Sequence, residues 1–486
     1  MNSIVECVAS YAERHPDKRC IMDSKVEMTY AGYWDYIRRT AAVLSDYANA
    51  GDCVVVEASQ SVAYLAYEMG LQLLNGIFVP LERKCAAERI VDIAHQTRAK
   101  LIISSQQIDC EIPVLSDKDV LELVEKAEPM KDYCFPARED EAEILFSTGT
   151  TGKPKGIRLT HGNDISLAEN VKYGVEMGPD NLEIIPVPLN HSHGLRRYYG
   201  NMFNGSSVIL MDGILNIKKF FKYLDEYPVT ALDLVPSSLS IIFKLSKDKL
   251  GDYREQLDYI QLGAAPLPEE DKERLCRLLP DTRLYNFYGS TESGCCCILD
   301  FNKEKGKTGC IGHAAYNAKF LLVDDERRPL EKTDHEHPGL LAISGGMNML
   351  GYYEDQEETD KVMSGPYIYT NDIAYMEGEN VYLLGRKGDV INVGGNKVSP
   401  GEVEEAAKQY SGVADCACVP AKDKIQGEVP KLYIVTDKPV DKAQLSIFLS
   451  GKLEPYKLPK HIVEIDEIPK TFNGKIKRKE LVERQD

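Results

Sequence analysis

From Asp52 onward the chain alternates short apolar runs with longer amphipathic stretches. Runs such as CVVVEA, IFVPL and KLIISS are brief and rich in β-branched residues, so they predict strands. Between them, SVAYLAYEMGLQLLNG and AAERIVDIAHQTRA return apolar positions at helical spacing and predict helices. Strands joined by helix-length crossovers give βαβ units and a largely parallel sheet. The rhythm resumes in SSVILM, NIKKFFKYLDEY, VTALDLVP, SLSIIFKLSK, DYIQLGA, EEDKERLCRLL and RLYNFYG, which predicts a second α/β layer. Between Gly312 and Leu384 the helical period fades, and FLLVDD, LLAISGG and NVYLLG predict a small β-rich unit. After Arg386 strands and helices alternate again in VINV, PGEVEEAAKQY, ADCACVP, KLYIVT, KAQLSIFLSGKL and HIVEID, the pattern of a compact α+β domain.

Composition narrows the class without changing this picture. With 486 residues, 43% hydrophobic and 28% charged, the chain can bury several cores without covalent staples. Lys plus Arg number 58 against 76 Asp plus Glu, a formal charge of -18, which argues against a general binder of nucleic-acid phosphates. Thirteen cysteines lack a disulfide framework, and MNSIVECVASYAERHPD lacks the basic and apolar regions of a signal peptide, so a reducing cytoplasm is expected. The most apolar stretch, Ala63 to Pro80, contains Glu68, Gln72 and Asn75, and no membrane span is predicted. Consecutive Cys295, Cys296 and Cys297 lack the turn that separates zinc ligands and are expected as buried thiols. Cys416 and Cys418 would share one face of a strand.

The densest chemical signal is LFSTGTTGKPKG, Leu145 to Gly156. Ser147, Thr148, Gly149, Thr150, Thr151, Gly152, Lys153 and Lys155 combine small hydroxyls, glycines and positive charge, which suits a polyphosphate. It is not a Walker A loop, because Gly149 and Gly152 are too close and Pro154 follows Lys153. Four further segments follow in order: YGSTE from Tyr288, YTND from Tyr369, GRKGDVINVGGNKVSPGEVE from Gly385 and PKTFNGKIKR from Pro469. Together the five resemble the motifs of the adenylate-forming superfamily, which contains acyl-CoA synthetases, adenylation domains of peptide synthetases and beetle luciferases.

That resemblance implies ATP-dependent activation of a carboxylic acid as an acyl-adenylate, then transfer to CoA or to phosphopantetheine on a carrier protein. It implies that Thr291 binds the α-phosphate, that Glu292 holds Mg2+ and that Asp372 binds the ribose, with Asn371 replacing the family's usual Gly. Asn286, Phe287, Tyr288 and Gly289 join the nucleotide site, as does Arg386. Lys475 becomes the catalytic lysine, a cation placed between two anions that must meet. VPLNHSHGL resembles a family segment that puts a histidine at His191, and QLGAAPLP resembles one whose backbone at Gly263, Ala264 and Ala265 separates adenine from acyl group. The expected organisation is a large ATP- and acyl-binding domain over 1–386, a hinge at 387–389 and a small mobile domain over 390–486.

Four positions remain open on this reading. Arg196 and Arg197 could meet a second substrate carboxylate, but a solvated helix face is the expectation. Gly388 stands where relatives carry Asp or Lys, and a proline there is expected to spare the adenylating arrangement. Asn392 replaces a frequent Lys.

Overall fold

The computed structural model describes residues 1–147, 155–307, 309–394, 396–470 and 475–484. Thr148, Gly149, Thr150, Thr151, Gly152 and Lys153 lie outside the described residues, as does the whole Thr471 to Gly474 stretch before Lys475.

Among the described residues three sheets carry the fold. The first has seven strands, with Val114–Leu115, Leu101–Ile103, Cys53–Glu57, Ile77–Leu81 and Glu141–Ser147 parallel, Lys155–Thr160 antiparallel beside them and Gly351–Tyr352 antiparallel to that edge. Cys53–Glu57 shows why such strands read as unbroken apolar runs. Val54 and Val56 face the helices between the sheets, whereas Cys53 and Val55 face a separate outer core with Ile90 and Ile93. A parallel strand covered on both faces has no polar side to display.

The second sheet begins with a parallel set, Arg19–Met22, Ser207–Leu210, Leu182–Ile185, Ala231–Leu234, Tyr259–Leu262 and Arg283–Ser290. Helices Ile4–Arg14, Tyr30–Leu44, Val62–Leu73, His161–Gly174 and Ser192–Asn204 supply apolar faces to the core shared by the two sheets. The β-rich unit is present, and hydrogen bonds join it to this second sheet. Gly294–Asp300 pairs antiparallel with Arg283–Ser290 and with Cys310–Ala314, which pairs with Asn380–Arg386, and that strand with Tyr367–Glu377.

A third sheet is built wholly after Arg386, from Ile391–Val393, Asn396–Val398, Val413–Asp423, Gly427–Thr436 and His461–Glu464. Helices Pro400–Lys408 and Lys442–Ser450 cover one face, where Cys416 and Cys418 are buried together, while Tyr433, Ile465 and Leu481 close the other. Cys295, Cys296 and Cys297 are likewise buried, and burial pushes their thiols up, Cys295 to about 11. Among the described residues no helix is long and apolar enough to cross a membrane.

A buried acidic group crosses the interior. Tyr199 donates to Glu68 and, at 3.0 Å, to Glu143, and Asp164 is buried within their electrostatic reach. Burial holds all three carboxyls above their ordinary range, Glu143 at about 7.

Candidate functional site

Ser147 and Lys155, which flank the Thr148 to Pro154 segment, are paired neighbours on Glu141–Ser147 and Lys155–Thr160. The Lys155 ammonium pairs with Glu358 and lies 5.0 Å from the Tyr352 ring centre. Hydrogen bonds from Lys155 and Lys361 hold the Glu358 carboxyl down at about 2. Tyr352 in turn donates its hydroxyl to Glu292 Oε1 at 3.0 Å. Thr291 and Glu292 occupy the turn between Arg283–Ser290 and Gly294–Asp300, where Ser290 and Ser293 hydrogen-bond across the bend. Gly289 is obligatory at that bend, because a Cβ there would lie 1.8 Å from the Gly294 carbonyl oxygen.

Tyr288 donates its hydroxyl to Asp372 Oδ2 at 2.5 Å, and Arg386 Nε stands 3.5 Å from Asp372 Oδ1. Asp372 and Arg386 are cross-strand partners on the antiparallel pair Tyr367–Glu377 and Asn380–Arg386, so sheet register sets their spacing. Burial, reinforced by the Asp372 charge, holds the Tyr288 phenol well above its ordinary range.

Lys475 enters this group from the third sheet's domain. Part of its side chain meets solvent, yet surrounding protein crowds the ammonium and holds it below the ordinary lysine range, with the Arg386 charge adding to the effect and Asp372 and Glu292 opposing it. The segment is anchored just beyond by Arg478, which donates to both Glu404 oxygens and, at 2.7 Å, to the Cys418 carbonyl. Arg478 Nε also lies 3.9 Å from Asp389, next to Gly388. Gly388 has φ +97°. Proline cannot take that value, so the expectation that proline spares this lysine-inward arrangement is overturned.

On the other side, Gly263, Ala264 and Ala265 follow strand Tyr259–Leu262, and Ala264 is held at φ +70°. A Cβ on Gly263 would meet His193 Cε1 at 3.0 Å, so the His193 ring lies against this backbone. His193 Nε2 contacts Asp233 Oδ1 at 2.8 Å, and burial keeps the imidazole below its usual range. His191 instead caps helix Ser192–Asn204, half-buried, with its Nε2 at 3.4 Å from Asn190 Nδ2. Phe287 is buried with Tyr285, and Asn286 is buried with its Oδ1 lacking a hydrogen-bond partner.

Arg196 and Arg197 do not lie on a solvated helix face. They are 6% and 0% exposed. Their helix is sandwiched between two sheets and has no wet side at this turn, which the short segment HGLRRYY could not reveal. Arg197 forms a fork with Glu183, both bonds 2.8 Å, and reaches Tyr259 at 3.1 Å. Tyr352, Glu358, His193, Asp233 and Gln261 are site residues that the motifs did not identify. His193, two residues after His191, and Gln261, at the head of QLGAAPLP, carried a local signal.

The AMP-binding enzyme family matches residues 8–353, and the AMP-binding enzyme C-terminal domain matches residues 402–475. The chain is 26% identical to 4-coumarate–CoA ligase 3 of Arabidopsis thaliana over 96% of its own length and 88% of that relative's. It is 25% identical to 2-succinylbenzoate–CoA ligase of Bacillus velezensis over 97% and 96% of the respective chains. Among solved structures it resembles o-succinylbenzoate CoA synthetase from Bacillus subtilis in complex with the acyl-adenylate intermediate OSB-AMP, with TM-score 0.85 and 21% identity over 99% and 98% of the two chains. ATP-bound MatB from Rhodopseudomonas palustris gives TM-score 0.88 and 22% identity over 99% of each chain. At these identities the structural likeness establishes the fold.

Proposed function

Because the chain belongs to the AMP-binding enzyme family, we propose that it is an ATP-dependent carboxylate–CoA ligase working through an acyl-adenylate. The observation that carries the residue assignment is the convergence of Lys475, Arg386, Asp372 and Glu292 from two separate sheets. In the first half-reaction a substrate carboxylate oxygen attacks the α-phosphorus of ATP, a P–O bond forms and pyrophosphate leaves. Two anions must approach, and Lys475 supplies the cation between them. Arg386 and Tyr288 orient Asp372 so that its carboxylate accepts from the ribose hydroxyls.

Glu292 would offer magnesium a hard carboxylate oxygen, and the Tyr352 bond to Oε1 fixes the direction of that carboxylate. Magnesium, when bound, neutralises charge on the phosphate oxygens. Thr291 faces the α-phosphate, while the backbone of Gly263, Ala264 and Ala265 separates adenine from the acyl group. His191, at the mouth of helix Ser192–Asn204, borders the acyl side. Residues 147–155 hold the polyphosphate.

In the second half-reaction a thiol loses its proton to solvent as its sulfur attacks the acyl carbon, the C–S bond forms and AMP departs with the electrons of the broken C–O bond. Lys475 and the thiol need the same approach, so the 390–486 domain turns at 387–389 between steps. CoA is favoured as the thiol because the curated relatives aligned along most of their length are named CoA ligases. Phosphopantetheine on a separate carrier protein is the alternative acceptor. Pyrophosphate release measured across aliphatic, aryl and dicarboxylic acids, with and without CoA, tests the reading. Acid-dependent pyrophosphate and CoA-dependent AMP are expected, and silence with every acid would overturn it.

A further inference from the structure

Arg196 and Arg197 are consecutive, both buried, and treated oppositely by the fold. Arg197 has a carboxylate fork and a phenol. Arg196 makes no hydrogen bond and no ion pair among the described residues, and its Nε is buried without a partner. Its two terminal nitrogens are not among the fully buried unpartnered atoms, so they retain access to solvent space. A buried guanidinium facing no acceptor is costly to maintain and calls for an anion.

The surroundings identify that space. Arg196 is three residues after His193 on helix Ser192–Asn204, so both project from one helix face. His193 lies against Gly263 and holds Asp233, and Arg196 is within electrostatic reach of His193, Asp233, Cys295 and Cys296. Asp233 and Gly263 mark the carboxyl ends of adjacent parallel strands Ala231–Leu234 and Tyr259–Leu262, where open α/β sheets receive ligands. Gln261 is buried there with both amide atoms unpartnered, as is Asp233 Oδ2. Asp233 does not discharge Arg196: its Oδ1 is taken by His193, and it makes no ion pair with the guanidinium.

We propose that the acid activated here is a dicarboxylic acid, whose second carboxylate is received by the Arg196 fork at the inner end of the acyl pocket. The proposal rests on the carboxylate-activating reading above. The remaining amide of Gln261 completes a polar pocket floor, in which an uncharged tail would leave the guanidinium desolvated and unpaired.

The test is ATP–pyrophosphate exchange with succinate, glutarate, adipate and an aryl dicarboxylate, each beside its half-amide and the monocarboxylate of equal length. At least one dicarboxylate is expected to exceed its half-amide about 100-fold in kcat/KM, because the half-amide keeps an acceptor oxygen and loses only the charge-assisted part of the hydrogen bond to the guanidinium. In Arg196→Met that ratio should collapse to within about threefold of unity, mainly through KM of the dicarboxylate, and Arg196→Lys should restore part of it. Should Arg196→Met fail to fold, the wild-type ratios still decide. Preference for a half-amide or a monocarboxylate in the wild type, or equal loss on all acids in Arg196→Met, would overturn the proposal while leaving adenylation intact. Absence of exchange with every acid would overturn the proposed function and this inference with it.

Discussion

Replacing Lys475 by alanine removes, from the proposed nucleotide site, the one group among the described residues that comes from beyond Arg386. In this structure its ammonium works among two carboxylates and one guanidinium, Glu292, Asp372 and Arg386. Deleting it therefore leaves net negative charge where a carboxylate must approach a phosphate. A single preorganised stabiliser of transition-state charge is worth about 3 to 4 kcal/mol, or roughly 10²- to 10³-fold in rate. Lys475→Ala should lower acid-dependent pyrophosphate exchange by about that factor, whereas CoA acylation from a supplied acyl-adenylate should stay within about threefold of the wild type. The pH profile adds an independent readout. Because crowding and Arg386 hold the ammonium below its ordinary value of 10.5, the proton is lost earlier as pH rises, and adenylation should decline at pH values below 10.5. Lys475→Arg should move that limb upward, since guanidinium does not titrate there. Equal losses in both half-reactions, or an unmoved alkaline limb in Lys475→Arg, would refute the assignment.

Asp372→Ala should weaken ATP by about 1 to 3 kcal/mol while barely changing 2′,3′-dideoxy-ATP, measured by calorimetric titration, and equal losses would exclude ribose contact. Gly388→Pro should abolish pyrophosphate exchange, because the lysine-inward arrangement has φ +97° there, yet spare acylation of CoA from supplied acyl-adenylate; persistent exchange would contradict the hinge assignment. The buried acids should draw stability down as pH rises from the ordinary glutamate value of 4.5 through about 7. Glu143 sits at about 7 with Glu68 and Asp164 also raised, so the folded state binds more protons than the unfolded chain, and their stabilising protonation is lost as pH rises through the folded values. Urea titrations should show a shallower slope in Glu143→Gln, and stability rising with pH across that window would be inconsistent with the buried acids.

The elements were legible where burial is one-directional or complete. CVVVE reads as a strand because both faces are covered, and the period of AAERIVDIAHQ marks a helix with one wet face. Motif spacing pointed to Tyr288, Glu292, Asp372, Arg386 and Lys475, and the fold brings these together. What escaped was contact made through sheet pairing. Tyr352 reaches Glu292 because Gly351–Tyr352 joins the edge strand Lys155–Thr160, a pairing that its two residues do not announce. Of two histidines in HSH, one became a helix cap and the other a buried neighbour of Gly263, a difference set by where the helix begins. Arginine is so seldom buried that Arg196 and Arg197 were assigned to solvent, and only the sandwiching of their helix between sheets reverses this.

The ladder from Arg283–Ser290 through Gly294–Asp300, Cys310–Ala314 and Asn380–Arg386 to Tyr367–Glu377, bulged at Tyr288/Gly289, Cys310/Gly312 and Ile373/Ala374, has a consequence for how such a catalyst can be altered. Tyr288, Glu292, Asp372 and Arg386 all hang on this ladder or its turns, so their mutual distances are locked by backbone pairing. Arg196 and His193 hang on a helix instead, held by side-chain packing. Substitutions on that helix can retune which tail is accepted without disturbing the nucleotide geometry, whereas an inserted residue anywhere along the ladder would shift a whole row of groups at once. Selection or engineering for new acids is thereby channelled to one turn of one helix.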